Sequence, residues 1–225
     1  MTNKGMKRVR RGRWGWSVTA MAAGLAAGLL IGLFPLHGHA IETKARQALL
    51  IDMQTGAVMF EKNADEPMAP ASMTKIMTVY LLFDRLKKGE LRLNDTMTIT
   101  ENAWSRGGAA SQGSTMFLKA GDRVRVEDLI HGIIVQSGND ASIAVAEGLA
   151  GSEPAFAEEM NRRAREIGMI NTHFRNASGL PEPDHVTTAR DLAVLAKRTI
   201  EDFPEYYNFY SEREFFYNSI RQGNR

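Results

Sequence analysis

Ala69-Pro70-Ala71-Ser72-Met73-Thr74-Lys75-Ile76-Met77-Thr78 joins two kinds of sequence. Before it lie short aliphatic runs broken by turn residues. From Ser72 onward, apolar residues recur at helical spacing through Ile76, Met77, Val79, Tyr80, Leu82, Phe83 and Leu86, until Lys87-Lys88-Gly89 stops the pattern. The spacing predicts a long, largely buried helix beginning at Ser72. On its first turn, positions i and i+3 share a face, which brings the Ser72 hydroxyl and the Lys75 ammonium within hydrogen-bond reach. A serine alcohol is a poor nucleophile without a base, and a lysine serves as that base when burial or a second cation lowers its pKa. The same residues also suit a plainer role, with Ser72 as a helix cap and Lys75 as a solvated first-turn charge.

Upstream, Gln47 to Asp52 and Ala57 to Glu61 flank the turn residues Met53-Gln54-Thr55-Gly56 and read as a β-hairpin. Downstream, Thr96 to Thr100 reads as a short strand and Gly107 to Ser114 as a loop. Val126 to Gln136 is helical, broken at Ser137-Gly138-Asn139, and Ala141 to Leu149 resumes as an Ala-rich helix. Ser152, Glu153 and Pro154 open a capped helix that Gly168 closes, Asn176 to Thr187 is a loop, and Thr188 to Ile200 is a further helix. Eight aromatic residues between Phe203 and Tyr217 suit core or sheet packing. Helices in the centre and strands at both ends predict an α+β fold, with distant strands meeting in one antiparallel sheet under a helical layer.

The 28 basic residues exceed the 26 acidic ones, but the excess is local. Lys4, Lys7, Arg8, Arg10, Arg11 and Arg13 precede an uncharged stretch from Trp14 to Leu36, and Gly38-His39-Ala40 supplies small residues for cleavage. Residues 1–40 therefore read as a signal peptide, or as an uncleaved signal anchor, and place the rest outside the cytoplasm. Setting the six leader cations aside leaves 22 basic against 26 acidic residues, a net of −4. That balance removes the main support for a nucleic-acid partner. With no cysteine in the chain, disulfides, thiolate nucleophiles and thiolate-bound metals are excluded. Beyond the leader, His131, His173 and His185 form no H-x-x-x-H pair, so no metal and no cofactor is expected.

Ser137-Gly138-Asn139 gives the Ser72–Lys75 pair its meaning. A Ser and an Asn two apart on a glycine-containing break present a hydroxyl to relay a proton and a carboxamide to hold a lysine or a substrate carbonyl. In this order, S-x-x-K and S-x-N are two of the three motifs of the penicillin-recognising serine enzymes, the third being K-T-G. The chain resembles the low-molecular-mass penicillin-binding proteins that act as serine-type D-alanyl-D-alanine carboxypeptidases. Further matches are Gly113-Ser114 with Met116-Phe117-Leu118, Gly121-Asp122, Gln136 to Ala141, Met160-Asn161, Asn176 with Gly179-Leu180, and Thr188 to Asp191.

The resemblance implies the penicillin-binding, β-lactamase-like transpeptidase fold for residues 41–225. It also implies removal of the terminal D-alanine from the peptidoglycan pentapeptide, and covalent inhibition by β-lactams, in the periplasm or on the outer face of the membrane. By that likeness Ser72 is the nucleophile, Lys75 its base, Ser137 the proton relay and Asn139 a substrate-binding residue, with the Ser72 N–H as one oxyanion donor. One departure stands out: neither Lys-Thr-Gly nor Lys-Ser-Gly occurs. The family carries that motif on a strand beyond the aromatic segment, so the reading is of an incomplete catalytic domain that stops before it, with C-terminal sheet strands missing. A cation for the substrate carboxylate and a second oxyanion donor would go with it, the donor alone worth about 10² to 10³ in rate. Membrane contact would run through an uncleaved leader or a missing C-terminal anchor. The alternatives are a D,D-endopeptidase of the same fold, or an inactive fragment that binds cell wall. A class A β-lactamase would need a glutamate four residues before an asparagine, which none of Glu147, Glu153, Glu158, Glu159, Glu166 and Glu182 is.

Overall fold

The computed structural model describes residues 41–224; the leader and its cleavage site lie outside them. The first strand, β1 (Ala48–Ile51), pairs antiparallel with β2 (Val58–Lys62), and a register shift at Leu50/Ile51 bends the ribbon. Its turn is built by the Asp52 carboxylate, which accepts from the Thr55 N–H at 2.7 Å and the Thr55 hydroxyl at 2.6 Å. A single 3₁₀ turn, Ala71–Met73, leads into α1 (Thr74–Lys87), so the helix proper starts two residues later than its apolar spacing implies.

Two short elements escaped the sequence pattern. Helix α2 (Glu101–Gly107) is capped by the Thr100 hydroxyl accepting from the Ala103 N–H. Strand β4 (Arg123–Arg125) pairs antiparallel with β3 (Thr96–Thr98), and only Met97 and Val124 of this ribbon face the core. Then follow α3 (Val126–Gln136), α4 (Asn139–Ala150), α5 (Glu153–Ile167) and α6 (Ala189–Asp202), and last β5 (Glu214–Tyr217) paired with β6 (Ile220–Gly223). The Ser152 and Gly168 caps fall where the sequence places them, the Ser152 hydroxyl accepting from the Ala155 N–H and Gly168 closing α5 at φ +97°; Thr188, read as the first residue of its helix, is instead the cap, its hydroxyl accepting from the Asp191 N–H.

The chain is α+β with every strand antiparallel, but one expectation fails. Among the described residues the strands form three separate two-stranded ribbons, not one sheet. Each ribbon pairs only within itself and lies on a helix instead: β1 on α6, with no residue of its ribbon fully buried, β3 and β4 on α4 and α3, and β5 and β6 on α3. At the centre runs α4, whose residues Ala141 to Ala146 are all buried. Helices α1, α3 and α5 pack against it, and Met77, Leu82 and Phe83 of α1, Ile130 and Ile133 of α3, and Phe156 and Met160 of α5 belong to the same core. The aromatic segment joins this core: Phe83 stacks on Tyr206 at 5.2 Å and meets Phe203 edge-on at 5.8 Å. No helix among the described residues is long and apolar enough to cross a membrane.

Candidate active site

Lys75 sits on the first turn of α1 with its side chain pulled inward, 4% exposed, while Ser72 on the preceding 3₁₀ turn stays exposed. Three acceptors surround the ammonium: the Ser72 hydroxyl at 3.4 Å, the Asn139 side-chain oxygen at 2.8 Å and the Ser178 carbonyl at 2.5 Å. They come from three parts of the chain, and each is delivered by a distinct local device.

The Ser72 side is set by strain and close approach. Ala71 is held at φ +47°, a region that a residue with a Cβ occupies at a cost of about 1–3 kcal/mol. Gly179, at φ +83°, backs onto its carbonyl so closely that a Cβ there would lie 1.8 Å from the oxygen. Only glycine permits that approach. The Asn139 side is set by the break between α3 and α4. Ser137 ends α3 in the left-handed conformation, φ 57° and ψ 35°, and the Gly138 N–H bonds back to the Gly132 carbonyl at 2.9 Å. Asn139 is thereby the first residue of α4, and its N–H donates to the Ser114 carbonyl at 2.8 Å. Next to it, the fully buried Asp140 carboxylate accepts from the N–H groups of Met116 and Leu118, each at 3.0 Å, and from the Thr115 hydroxyl at 2.6 Å. The 113–118 segment is thus bound to the start of α4.

Burial pushes the Lys75 ammonium down to about 8 from its ordinary 10.5, the nearby Asp140 charge opposing the shift. A lysine at that value is substantially neutral just above physiological pH and can accept a proton. Ser72, Lys75 and Ser137 line one pocket of about 120 Å³, walled by Ile76, Val79, Ile133, Ile134 and Tyr210. The structure therefore brings all four residues singled out from the sequence to one place. A polar hydroxyl pair and an amine face an apolar wall there, which suits attack on a carbonyl held in a fixed orientation. Among the described residues no cluster of carboxylates and histidines is placed to hold a metal ion.

Sequence reasoning missed three contributors: the Ser178 carbonyl, the Asp140 carboxylate and Tyr210. Another buried pair lies directly beneath the site, where Thr74 Oγ1 and His185 Nε2 are 2.9 Å apart. Because His185 Nδ1 accepts from the Arg175 N–H, Nε2 carries the proton and donates to Thr74. Burial pulls His185 down to about 4, so the ring is neutral at working pH.

The family model described as D-alanyl-D-alanine carboxypeptidase, peptidase S11, matches residues 36–225. The chain belongs to this family. D-alanyl-D-alanine carboxypeptidase DacC of Escherichia coli (strain K12) is 44% identical over 216 residues, which are 92% of this chain and 54% of that protein. The crystal structure of the D-alanyl-D-alanine carboxypeptidase DacD from Francisella tularensis superposes with a TM-score of 0.76 at 44% identity, covering 82% of this chain and 44% of that one. Penicillin binding protein 5 from Haemophilus influenzae superposes at 0.78 with 40% identity, covering 82% and 53%. The chain spans about half the length of the curated carboxypeptidases it matches. These relatives share the penicillin-binding transpeptidase fold, which the sequence motifs had implied.

Proposed function

We propose that this chain carries the nucleophile of a serine-type D-Ala-D-Ala carboxypeptidase acting on the peptidoglycan stem peptide outside the cytoplasm. The observation that carries this reading is Lys75: a buried lysine lowered to about 8, bonded to an exposed serine hydroxyl and to the Asn139 carboxamide. Membership of a D-alanyl-D-alanine carboxypeptidase family supports it.

In the reaction, neutral Lys75 takes the Ser72 proton as Oγ attacks the carbonyl between the two D-alanines. The tetrahedral oxyanion points at the helix start, where the Ser72 N–H donates to it. Ser137, across the pocket, passes the proton from Lys75 to the departing D-alanine nitrogen, leaving a Ser72 ester that water hydrolyses. Asn139 holds the lysine in line and orients the substrate amide. A β-lactam enters the same path, and its ring-opened acyl group stays on Ser72; a penicillin binding protein among the structural relatives supports that reading. Export is read from the six cations and apolar stretch of residues 1–40.

Covalent labelling by a tagged penicillin tests the proposal. The adduct is expected on Ser72 by peptide mass and is expected to vanish in Ser72→Ala. A folded protein that keeps Ser72 and takes no label overturns it. Release of D-alanine from a linear D-Ala-D-Ala peptide, with no cleavage of a cross-linked muropeptide, separates carboxypeptidase from endopeptidase.

A further inference from the structure

The Ser178 carbonyl is the shortest of the three Lys75 contacts and stands on a loop, Asn176 to Leu180, that needs something to hold it. Its front is fixed by Thr78, whose buried hydroxyl donates to the Ala177 carbonyl at 2.7 Å. Asn176 shapes the turn itself, its side-chain oxygen accepting from the Gly179 N–H at 2.7 Å and the Ser178 N–H at 3.2 Å. Ala177 itself is fully buried in the core, but one flank of the loop is not filled by apolar side chains. A polar cavity of about 330 Å³ lies there, lined by Arg106, Glu153, Glu158, Arg175, Asn176 and Glu182 among others. Across it a single side chain reaches the turn's backbone: Glu153, the first residue of α5, 4% exposed, whose Oε1 accepts from the Ala177 N–H at 3.1 Å. Its other oxygen is held by the Arg106 guanidinium at 2.9 Å, so both oxygens have fixed partners.

We propose that Glu153 is a positioning residue for the lysine: its carboxylate, clamped by Arg106, fixes the Ala177 peptide so that the next carbonyl, Ser178, meets the Lys75 ammonium. Thr78 and Glu153 grip the Ala177 residue from opposite sides, one by its C=O and one by its N–H. Releasing the N–H removes the turn's restraint on the cavity side, while Thr78 and Asn176 still hold the rest, and lets the Ser178 carbonyl shift off Lys75. The ammonium then keeps two acceptors, Ser72 and Asn139, and points less well at the nucleophile. Asp140 is the carboxylate whose charge acts on Lys75, so an effect of Glu153 travels through the turn.

The significance for catalysis rests on reading Lys75 as the base, but the test does not. Titrating the Lys75 side-chain resonance by NMR, assigned with Lys75→Arg, reads the contact directly. A carbonyl that accepts from the ammonium favours the charged form, so Glu153→Ala is expected to lower the Lys75 midpoint by about one unit. Glu153→Gln keeps an oxygen for the Ala177 N–H and is expected to restore the midpoint although it too lacks the charge. Glu153→Asp keeps the charge and the Arg106 partner but draws the oxygen back by one methylene, and is expected to behave as the alanine variant should the latter fold poorly. An unmoved midpoint in folded Glu153→Asp or Glu153→Ala, or a Gln variant as displaced as alanine, overturns the proposal. Penicillin acylation run on the same samples is expected to show its acid limb shifted to lower pH with a plateau about tenfold lower. If the parent protein takes no label at all, the catalytic reading falls, and the titration still decides the role of Glu153.

Discussion

Acylation of Ser72 is expected to follow the neutral fraction of Lys75. With the lysine near 8, about one molecule in eleven holds it neutral at pH 7. At the unperturbed 10.5 the fraction is about 1 in 3,000, so burial of this side chain enriches the competent form roughly 300-fold. Between pH 6 and pH 8 the neutral fraction rises about 50-fold and then saturates. The second-order rate of adduct formation by a tagged penicillin, quenched at short times across pH 5.5 to 9.5, is expected to rise with unit slope. It is then expected to bend near 8. A flat profile, or one that climbs unbent toward 10.5, refutes the role of burial in activating the base. Stability carries the same signature with a definite sign. Because the folded value lies below the unfolded one, the folded state binds fewer protons in the interval between them. The buried ammonium therefore weighs against folding fully below about 8, and that burden is relieved as pH rises toward 10.5.

Gly179→Ala is expected to cost more than about 3 kcal/mol, because the new Cβ meets the Ala71 carbonyl at 1.8 Å and φ is +83°; urea unfolding measures it. Asp140→Asn is expected to cost about 2 kcal/mol or more, since an amide cannot accept all the bonds that carboxylate takes from Met116, Leu118 and Thr115. It is also expected to lower the Lys75 midpoint, read by the same NMR titration. His185, held near 4 against an unfolded 6.5, contributes stability that is fully present above 6.5 and fades as pH falls toward 4. His185→Gln is expected to flatten the loss of stability between pH 7 and pH 4.5 by up to about 2 kcal/mol relative to the parent, compared by denaturant midpoints at those two values.

Local chemistry made much of this molecule legible from its residues. Ser152 with Pro154 and Gly168, and Thr188, mark helix ends through interactions that reach only three or four residues, so α5 and α6 fall within a residue or two of their predicted spans. The nucleophile motif and the Ser137-Gly138-Asn139 break are read the same way. Seven-residue α2 shows no apolar stripe, and three-residue β4 buries Val124 alone, so neither leaves a periodic trace. The Ser178 acceptor is a main-chain oxygen, which any residue supplies and no side chain advertises. Glu153 is one glutamate among many until α5 places it against the Ala177 N–H. Separate ribbons in place of one sheet reflect pairing between distant segments, which alternation along a strand does not encode.

Lys75 gathers two of its three acceptors from residues 64 and 103 positions further along the chain. Loops of that length close late, after the helices that depend only on neighbours. A nucleophile built this way is silent in any chain that has its secondary structure but has not yet assembled its tertiary contacts. The covalent penicillin adduct is therefore a head count of finished molecules: in a refolding mixture it trails the far-ultraviolet helix signal. The interval between the two is the time taken to bring Asn139 and Ser178 to the lysine.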